Sequence, residues 1–430
     1  MIDKMYKQSY YNIIVPHSDI FILYNTATSA IIELNQEYYS NFSSCSWHKF
    51  TQEEIKMLRD QGFIKFPGED EDFYQSLLRK SAISRKMNGI TALTILPTTA
   101  CNARCVYCYQ SKVKKESMQQ DTVNALISFI LKYISPEKKL SILWFGGEPL
   151  LEHGKITKIC KELESNNIAV ESSMVSNGSL FTEEIIETAK NDWHLHQVQI
   201  TIDGLEEDYN RIKNYTNVDN AFHKVINNIE LLSNNNVNVS VRINFERKNI
   251  DKTPFVLEWL REKFGNYKNF RLYTHPLDDE IDSYVCDNIE NHLLYNLFLK
   301  ETECDKDNLD DLMKPKEMFC GALTYNTFYI SPNGKLYLCH HTESAMPEED
   351  VGDLWTGPVH NKIYKIWCSD IIDYNECLNC VLLPCCQGGC RARYRYDSKP
   401  PCVLYKPFYK QVIKYLYEKS IKECSLESFE

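Results

Sequence analysis

The feature that most constrains the fold is an alternation of short apolar runs and amphipathic helix patterns between residues 91 and 300. Each run has the length of a buried strand, and the segments between them space their apolar residues three and four apart. A series of such units predicts an α/β fold with a parallel sheet and helices packed outside it. The predicted strands are residues 91–96, 140–145, 170–176, 197–202, 237–245 and 270–274.

Two helices are especially clear. Their apolar stripes are Val123, Leu126, Ile127, Ile130, Leu131 and Ile134 in the first, and Phe222, Val225, Ile226, Ile229 and Leu232 in the second. With helices on the outside, functional loops of such a fold gather at the carboxyl ends of the strands. We therefore expect the chemistry of the domain to lie in the loops that follow the strands.

Three cysteines follow the first strand, at Cys101, Cys105 and Cys108. Three thiolates from one short loop can hold three irons of a cubane cluster and leave the fourth iron open to a ligand that is not protein. Buried core cysteines or a zinc loop are the simpler alternatives.

The sequence Gly146-Gly147-Glu148-Pro149 follows the second strand. Two glycines let the backbone approach a ligand closely, and Pro149 fixes the turn. Exposed carbonyls beside a carboxylate suit an ammonium group, although a plain turn has the same composition.

A charge lies within the fifth strand. Arg242, flanked by Val241 and Ile243, requires a partner if that strand is buried. A bound carboxylate or an internal Asp or Glu could serve equally well.

The C-terminal part of the chain is rich in cysteine. Nine of the seventeen cysteines lie between residues 320 and 402. A protein without an export signal keeps its thiols reduced, so such clustering indicates metal ligands rather than disulfides. The spacing of Cys377, Cys380, Cys386 and Cys390 also fits a four-cysteine zinc site.

The loop Cys-x-x-x-Cys-x-Tyr-Cys, with Tyr107 as its aromatic residue, resembles the signature of radical S-adenosylmethionine (SAM) enzymes. The resemblance implies a partial (β/α)6 barrel, a [4Fe–4S] cluster on the three cysteines, and SAM bound at the open iron. It also implies that the turn after the second strand holds the amino group of SAM. By the same resemblance, the residues assigned to the SAM pocket are Tyr107, Gly146, Gly147, Glu148, Pro149, Ser176, Asn177, Thr201, Asp203 and Arg242.

The C-terminal cysteines resemble the seven-cysteine SPASM extension of radical SAM enzymes that modify peptides and proteins. This resemblance implies two auxiliary [4Fe–4S] clusters, for three in total. One would be held by Cys377, Cys380, Cys386 and Cys402, and the other by Cys320, Cys339 and Cys390. The fourth ligand of the second set stays open, with Cys286, Cys304 or a substrate thiolate as the alternatives, and Cys385 falls outside the pattern.

Residues 1–68 resemble the winged-helix domains that recognise leader peptides. Strands at 11–15 and 20–24, a turn at 16–19, and a capping box at Thr51 and Glu54 carry this pattern. A generic small α/β unit is the alternative. The acidic, turn-prone residues 67–72 predict a boundary, and residues 69–90 are assigned to a linker whose helix is expected at about 73–87. The barrel then covers 91–300, and the SPASM domain with a C-terminal helix covers 301–430.

The formal net charge of −11 disfavours nucleic acid as a partner. No apolar stretch reaches the length of about 18 residues that a membrane helix needs, and the N-terminus lacks a signal-peptide pattern. The sequence therefore predicts a cytoplasmic protein without a membrane partner.

Taken together, these resemblances imply a radical SAM enzyme that installs a thioether or carbon–carbon cross-link in a ribosomally made precursor peptide, bound through its leader segment. Such an enzyme needs an electron donor such as flavodoxin or ferredoxin. Maturation of anaerobic sulfatases is the alternative reaction, but those relatives have an Asp after the cysteine that matches Cys339, where this chain has His340. His340 is the candidate base. A non-catalytic electron carrier or a zinc-stabilised binding module is the hypothesis of another class.

Overall fold

The structure is a computed structural model. It describes residues 2–84, 89–246, 248–277, 296–297, 299–300, 312–316, 320–324, 326–340, 348–367, 375–390, 392, 402–403 and 405–427. Cys286 and Cys304, two of the alternatives for a fourth cluster ligand, lie outside the described residues.

The N-terminal unit contains a three-stranded antiparallel sheet in the order β2-β3-β4 and a two-stranded ladder of β1 with β5. Its elements are β1 (Lys7–Gln8), β2 (Asn12–His17), β3 (Ile20–Asn25), β4 (Ile31–Leu34), α1 (Gln36–Ser43), α2 (Gln52–Asp60) and β5 (Ile64–Lys65). Thr51 and Glu54 form the predicted capping box at the start of α2. The turn between β2 and β3 is tighter than predicted, because residues 16 and 17 still pair within the sheet.

The linker helix begins earlier than predicted, at α3 (Glu69–Ser84). The acidic residues expected in a turn instead form its first helical turn, where negative charge is favourable. They also attach the helix to the N-terminal unit. Arg59 pairs with Glu69 through two contacts of 2.6 Å, and Asp70 accepts a hydrogen bond of 2.9 Å from the Ser9 hydroxyl.

The central sheet has eight strands in the order β11-β10-β9-β8-β7-β6-β12-β13. Strands β6 to β11 run parallel in chain order, and their bounds lie within two residues of the predicted ones. They are β6 (Ala92–Thr98), β7 (Lys139–Gly146), β8 (Ala169–Ser176), β9 (Leu195–Thr201), β10 (Asn238–Phe245) and β11 (Phe270–Pro276). The carboxyl ends of these six strands therefore lie along one edge of the sheet.

Helices connect the parallel strands as predicted. They are α4 (Gln120–Tyr133), α5 (His153–Ser165), α6 (Glu183–Asn191), α7 (Glu206–Lys213), α8 (Ala221–Asn234) and α9 (Thr253–Phe264). All five residues of the predicted α8 stripe are buried. In α4 the stripe differs from the prediction, because Phe129 is buried while Leu131 is 41% exposed.

The C-terminal region continues the central sheet. Its elements are β12 (Thr327–Ile330), β13 (Leu336–Tyr337), β14 (Gly352–Asp353), β15 (Gly357–Pro358), α10 (Lys362–Trp367), α11 (Asn375–Leu378), α12 (Leu383–Cys386) and α13 (Tyr409–Glu427). Strands β12 and β13 form an antiparallel hairpin, and β12 pairs in parallel with β6. This pairing places the residues after β13 at the strand that leads into the cysteine loop. No described helix combines the length and the apolarity that crossing a bilayer requires.

Candidate active site

The cysteine loop follows β6 and rests on the segment that ends α7. The backbone N–H groups of Arg104 and Val106 donate to the carbonyls of Lys213 and Ile212, at 3.0 and 3.1 Å. Ala103 also forms an isolated bridge with Tyr215. The loop is therefore positioned both by β6, which precedes it, and by α7, which follows β9.

The three thiols of this loop lie close enough to influence one another. Burial raises the pKa of Cys105 to about 11, with smaller increases caused by Cys101 and Cys108. Burial also raises the pKa of Cys101, while a hydrogen bond from the backbone of Ala103 opposes that shift. A group of soft, converging thiols is the donor set that an iron–sulfur cluster requires. The residues present therefore fit the cluster.

The two glycines after β7 bring that turn against the cysteine loop. Gly147 N–H donates to the Thr98 carbonyl at 3.1 Å, and Glu148 N–H donates to the Ala100 carbonyl at 2.9 Å. A Cβ on Gly147 would lie 2.1 Å from the Ala100 oxygen, and one on Gly146 would lie 2.2 Å from the Thr98 oxygen. Gly146 also has φ of +129°. Glycine is required here because two backbones touch.

The buried side chain of Glu148 connects the loop after β7 to the loop after β8. Its carboxylate accepts hydrogen bonds from the Ser176 hydroxyl (2.9 Å), Asn177 N–H (2.8 Å) and Leu150 N–H (3.2 Å). Burial raises the pKa of Glu148 to about 7 although these donors act in the opposite direction. Pro149 begins the short 3₁₀ turn that follows. Because protein donors occupy the carboxylate, an ammonium ligand would rely mainly on backbone carbonyls of this turn.

Asn177 connects the third loop to the cysteines. Its side-chain amide donates to Asn102 Oδ1 at 2.8 Å and lies 3.7 Å from Cys101 Sγ. Its own backbone is held by Glu148. The loops after the first three strands are therefore joined into one hydrogen-bonded structure.

Tyr107 and Asp203, both predicted to bind the cofactor, belong to one buried network. The Tyr107 hydroxyl donates to Asp203 Oδ2 at 2.5 Å and accepts from Lys213 Nζ at 2.7 Å and Asn244 Nδ2 at 3.2 Å. Lys213 and Asp203 form an ion pair of 2.7 Å whose side chains are 4% and 2% exposed. All hydrogen-bonding positions of the Tyr107 hydroxyl are thus occupied by protein groups.

Arg242 and Thr201 are neighbours in the β9–β10 register. Arg242 Nε donates to Asn244 Oδ1 at 2.8 Å, and its Nη2 lies 3.0 Å from His275 Nδ1. Among the described residues no Asp or Glu pairs with Arg242, so of the two predicted partners the internal carboxylate is not found there. Arg211, by contrast, pairs with Asp208 at 2.7 Å on the surface of α7.

His340 lies at the carboxyl edge of the sheet among aromatic rings. Its ring centroid is 5.8 Å from that of Phe145 at the end of β7, 6.0 Å from Tyr109 after the last loop cysteine, and 6.4 Å from Tyr329 on β12. The hairpin therefore brings the candidate base to the cysteine loop.

Four C-terminal cysteines line one pocket together. They are Cys377, Cys380, Cys386 and Cys402. Lys406 lines the same pocket and its Nζ lies 3.0 Å from Cys402 Sγ. Burial raises the pKa of Cys377 to about 11, with further increases caused by the other three. This convergence of four thiols fits one auxiliary cluster.

The structure gives fewer contacts for the other C-terminal cysteines. Cys390 raises the pKa of Cys320, so these two lie near each other, although burial is the larger cause. Cys339 is partly buried two residues after β13. Cys385 is buried, and its thiol lies 2.9 Å from the Met313 carbonyl. Within the described part of the chain, no three His, Cys, Asp or Glu side chains could hold a single metal ion.

Sequence reasoning missed Lys213 and Asn244. Lys213 looks like a surface residue of an acidic helix, but it lies four residues after the buried Tyr209 and so shares its face. Asn244 lies two residues after Arg242, on the same face of β10. These spacings are the signals that could have found them.

Comparisons with known proteins agree with this geometry. Residues 95–259 match the family model described as the Radical SAM superfamily. TigE, a radical SAM cyclopropyl synthase of Paramaledivibacter caminithermalis, is 23% identical, and the alignment covers 94% of this chain and 95% of TigE. A cysteine-type anaerobic sulfatase-maturating enzyme of Clostridium novyi is 22% identical, with coverage of 71% and 88%.

Solved structures show the same fold. Native anSMEcpe with bound AdoMet has a TM-score of 0.61 at 18% identity, covering 78% of this chain and 99% of that one. Streptococcus suis SuiB bound to S-adenosylmethionine has a TM-score of 0.50 at 13% identity, with coverage of 92% and 98%. At these identities the likeness establishes the architecture of the chain.

Proposed function

We propose, from the premise that this chain is a radical SAM enzyme, that it cross-links a ribosomally made precursor peptide. The family implies a [4Fe–4S] cluster and SAM. When both are bound, the reduced cluster would supply the electron that cleaves SAM, and the resulting 5'-deoxyadenosyl radical is able to take hydrogen from an unactivated carbon. The observation that carries the proposal is the joining of the cysteine loop, the Gly-Gly-Glu-Pro turn and the Asn177 turn at one edge of the sheet.

The residues around this edge would form the SAM pocket. The carbonyls of Gly146 and Gly147 would accept hydrogen bonds from the amino group of SAM, and Arg242 would pair with its carboxylate. Thr201, next to Arg242 in the sheet, would contact the ribose. The ring of Tyr107 would lie against the ligand, because its hydroxyl is turned toward Asp203. Arg242 supports this assignment since its described partners, Asn244 and His275, carry no negative charge.

His340 would act as the proton acceptor for the new bond. Forming a cross-link removes two hydrogens from the peptide, of which the radical takes one, and the second leaves as a proton and an electron. The imidazole is suited to take that proton near neutral pH. Its position between Phe145 and Tyr109 is consistent with this role. The auxiliary cysteines would hold the acceptor of the electron.

A peptide substrate is supported by the relatives and by the N-terminal unit. TigE, which covers almost all of this chain, is a cyclopropyl synthase, and anSMEcpe has been solved with a bound Cp18Cys peptide. The three-stranded sheet has two outer strands, β2 and β4, that could pair with an extended leader segment. The unit also contacts the auxiliary region, since the Tyr24 hydroxyl donates to the Met313 carbonyl at 2.9 Å.

Sulfatase maturation is the second candidate, favoured by the similarity to the Clostridium novyi enzyme. The two reactions leave different products. A cross-linked peptide keeps its sulfur and loses the mass of two hydrogen atoms, whereas formylglycine formation from cysteine replaces the sulfur by oxygen and also removes two hydrogens.

The test is a product analysis with reconstituted protein. The protein, SAM and dithionite are incubated with each short peptide encoded beside the gene, and with a sulfatase-derived peptide. We expect 5'-deoxyadenosine together with a neighbouring peptide lighter by two hydrogens. A sulfur-for-oxygen exchange in the sulfatase peptide, with the neighbouring peptides unchanged, would refute cross-linking.

The number of clusters needs its own measurement. Three cubanes require about twelve irons and as many sulfides per chain, and they colour the protein brown. Zinc at the C-terminal cysteines would instead give about four irons and stoichiometric zinc. Metal and sulfide analysis of anaerobically purified protein separates these cases.

A further inference from the structure

A buried lysine lies directly behind the cysteine loop. The Lys213 side chain, at the end of α7, is 4% exposed and pairs with an Asp203 side chain that is 2% exposed. Lysine and aspartate are almost never buried unless they are paired, and even the pair must overcome the cost of desolvation. The contacts of this pair indicate why two charged side chains are buried at the site.

The pair is connected to the loop through the Tyr107 hydroxyl. This hydroxyl accepts from Lys213 Nζ and donates to Asp203 Oδ2, at 2.7 and 2.5 Å. Asn244 Nδ2 adds a second donor at 3.2 Å, so both lone pairs and the proton of the hydroxyl are used. Tyr107 lies between Cys105 and Cys108. Its ring orientation, and with it the segment that carries these two cysteines, is therefore tied to Lys213.

Lys213 also holds the same segment through its backbone. Its carbonyl accepts from Arg104 N–H at 3.0 Å, while the preceding carbonyl of Ile212 accepts from Val106 N–H. These two contacts lie on either side of Cys105. One residue thus fixes the loop from both its backbone and its side chain.

The charge of Lys213 lies beside the segment that carries two cluster ligands. Its Nζ donates to the hydroxyl of Tyr107 and lies 5.3 Å from the centroid of that ring, between Cys105 and Cys108 in sequence. A cation near a cluster ligand favours the more negative, reduced state of that cluster.

We propose that Lys213 is a positioning residue for the SAM-binding cluster, fixing the Cys105–Cys108 segment through Tyr107 and favouring reduction by its buried positive charge. This inference rests on the proposed function of the cysteine loop. It adds a residue outside the cysteine, glycine and proline motifs to the machinery that prepares the cluster for electron transfer.

The test compares Lys213→Met, Lys213→Arg and the double variant Lys213→Met with Asp203→Asn. Each holoprotein is titrated anaerobically, and the reduced clusters are followed by EPR. The SAM-binding cluster is identified as the one whose spectrum changes when SAM is added. Lys190→Met, which removes an exposed lysine of α6, is the matched control for the change in total charge.

We expect Lys213→Met to shift the reduction potential of this cluster to more negative values and to weaken the SAM-induced spectral change. Lys213→Arg should retain most of the potential. The double variant has no unpaired buried charge, so its thermal stability should exceed that of Lys213→Met while its potential stays below that of wild type. The Lys190→Met control should leave the potential unchanged.

The proposal is overturned if Lys213→Met keeps the wild-type potential and spectrum. It is also overturned if the double variant regains both in full, because Lys213 would then only neutralise Asp203. Should Lys213→Met fail to fold, the double variant alone decides between these outcomes. If wild-type protein with full clusters shows no response to SAM, the proposed function fails instead.

Discussion

Replacing Gly147 by alanine tests whether the SAM pocket depends on contact between two loop backbones. The added Cβ would lie 2.1 Å from the Ala100 oxygen, 2.5 Å from its carbonyl carbon and 2.7 Å from the Thr99 oxygen. Ordinary contact begins at about 3.4 Å. Because these neighbours are backbone atoms and not flexible side chains, the turn must move away from the cysteine loop by more than about 1 Å.

The size of the effect follows from the contacts that this movement breaks. The hydrogen bonds from Gly147 N–H and Glu148 N–H, now 3.1 and 2.9 Å, would lengthen beyond useful range. Each contributes about 1 kcal/mol, and the overpacking itself costs about 1–3 kcal/mol. We therefore expect a loss of about 3–5 kcal/mol in the free energy of unfolding. A displacement of about 1 Å should also lower SAM cleavage about 100-fold.

The assay combines urea unfolding with quantification of 5'-deoxyadenosine. Gly154→Ala is the matched control, since no atom lies within 4 Å of its added Cβ in α5, where alanine is the better helix former. It should be neutral or stabilising by up to about 1 kcal/mol. Wild-type stability and 5'-deoxyadenosine formation in Gly147→Ala would refute the account of this pocket.

Three further substitutions probe individual groups. Arg242→Gln should weaken SAM binding about 10- to 100-fold, because a charge-assisted hydrogen bond contributes about 1.5–3 kcal/mol, and calorimetry that shows an unchanged Kd would contradict the assignment. Glu148 has a pKa raised to about 7, so the native state keeps a proton that the unfolded state loses from about pH 4.5. Its contribution to stability should therefore fall by up to about 3 kcal/mol as pH rises from 4.5 to 7. Glu148→Gln should lack this fall in a pH series of Tm values, and identical profiles would contradict the buried carboxylate. His340→Ala should slow peptide product about 100-fold or more while 5'-deoxyadenosine still forms, and equal loss of both would exclude a role confined to the proton.

The barrel is the part of the fold that sequence periodicity predicts best. Strands β6 to β11 and the stripe of α8 are confirmed because each buries apolar side chains against the same core. The sequence does not predict the start of α3, because the composition of its acidic residues is typical of a turn. In the structure these residues are helical, and Arg59 and Ser9 bind two of them. Contacts distant in sequence decide that boundary.

The candidate site likewise has parts that the sequence predicts and parts that it does not. Motif spacing identifies the cysteines and the Gly-Gly-Glu-Pro turn, but it cannot show that Glu148 braces the turn of Asn177. The Lys213–Asp203 pair depends on how α7 packs against the cysteine loop, which no local pattern records. Arg211 lies on the surface of α7, where it pairs with Asp208, whereas Lys213 on the same helix is buried.

The most direct test of the central claim is EPR of the reduced protein before and after addition of SAM labelled at its amino nitrogen and carboxylate. The account predicts that the cluster on Cys101, Cys105 and Cys108 changes its spectrum and shows hyperfine coupling to both labels. A variant with alanine at all three positions should keep the auxiliary signals and lose that response. A fully loaded wild-type protein without coupling, or a triple variant that retains it, would contradict the account.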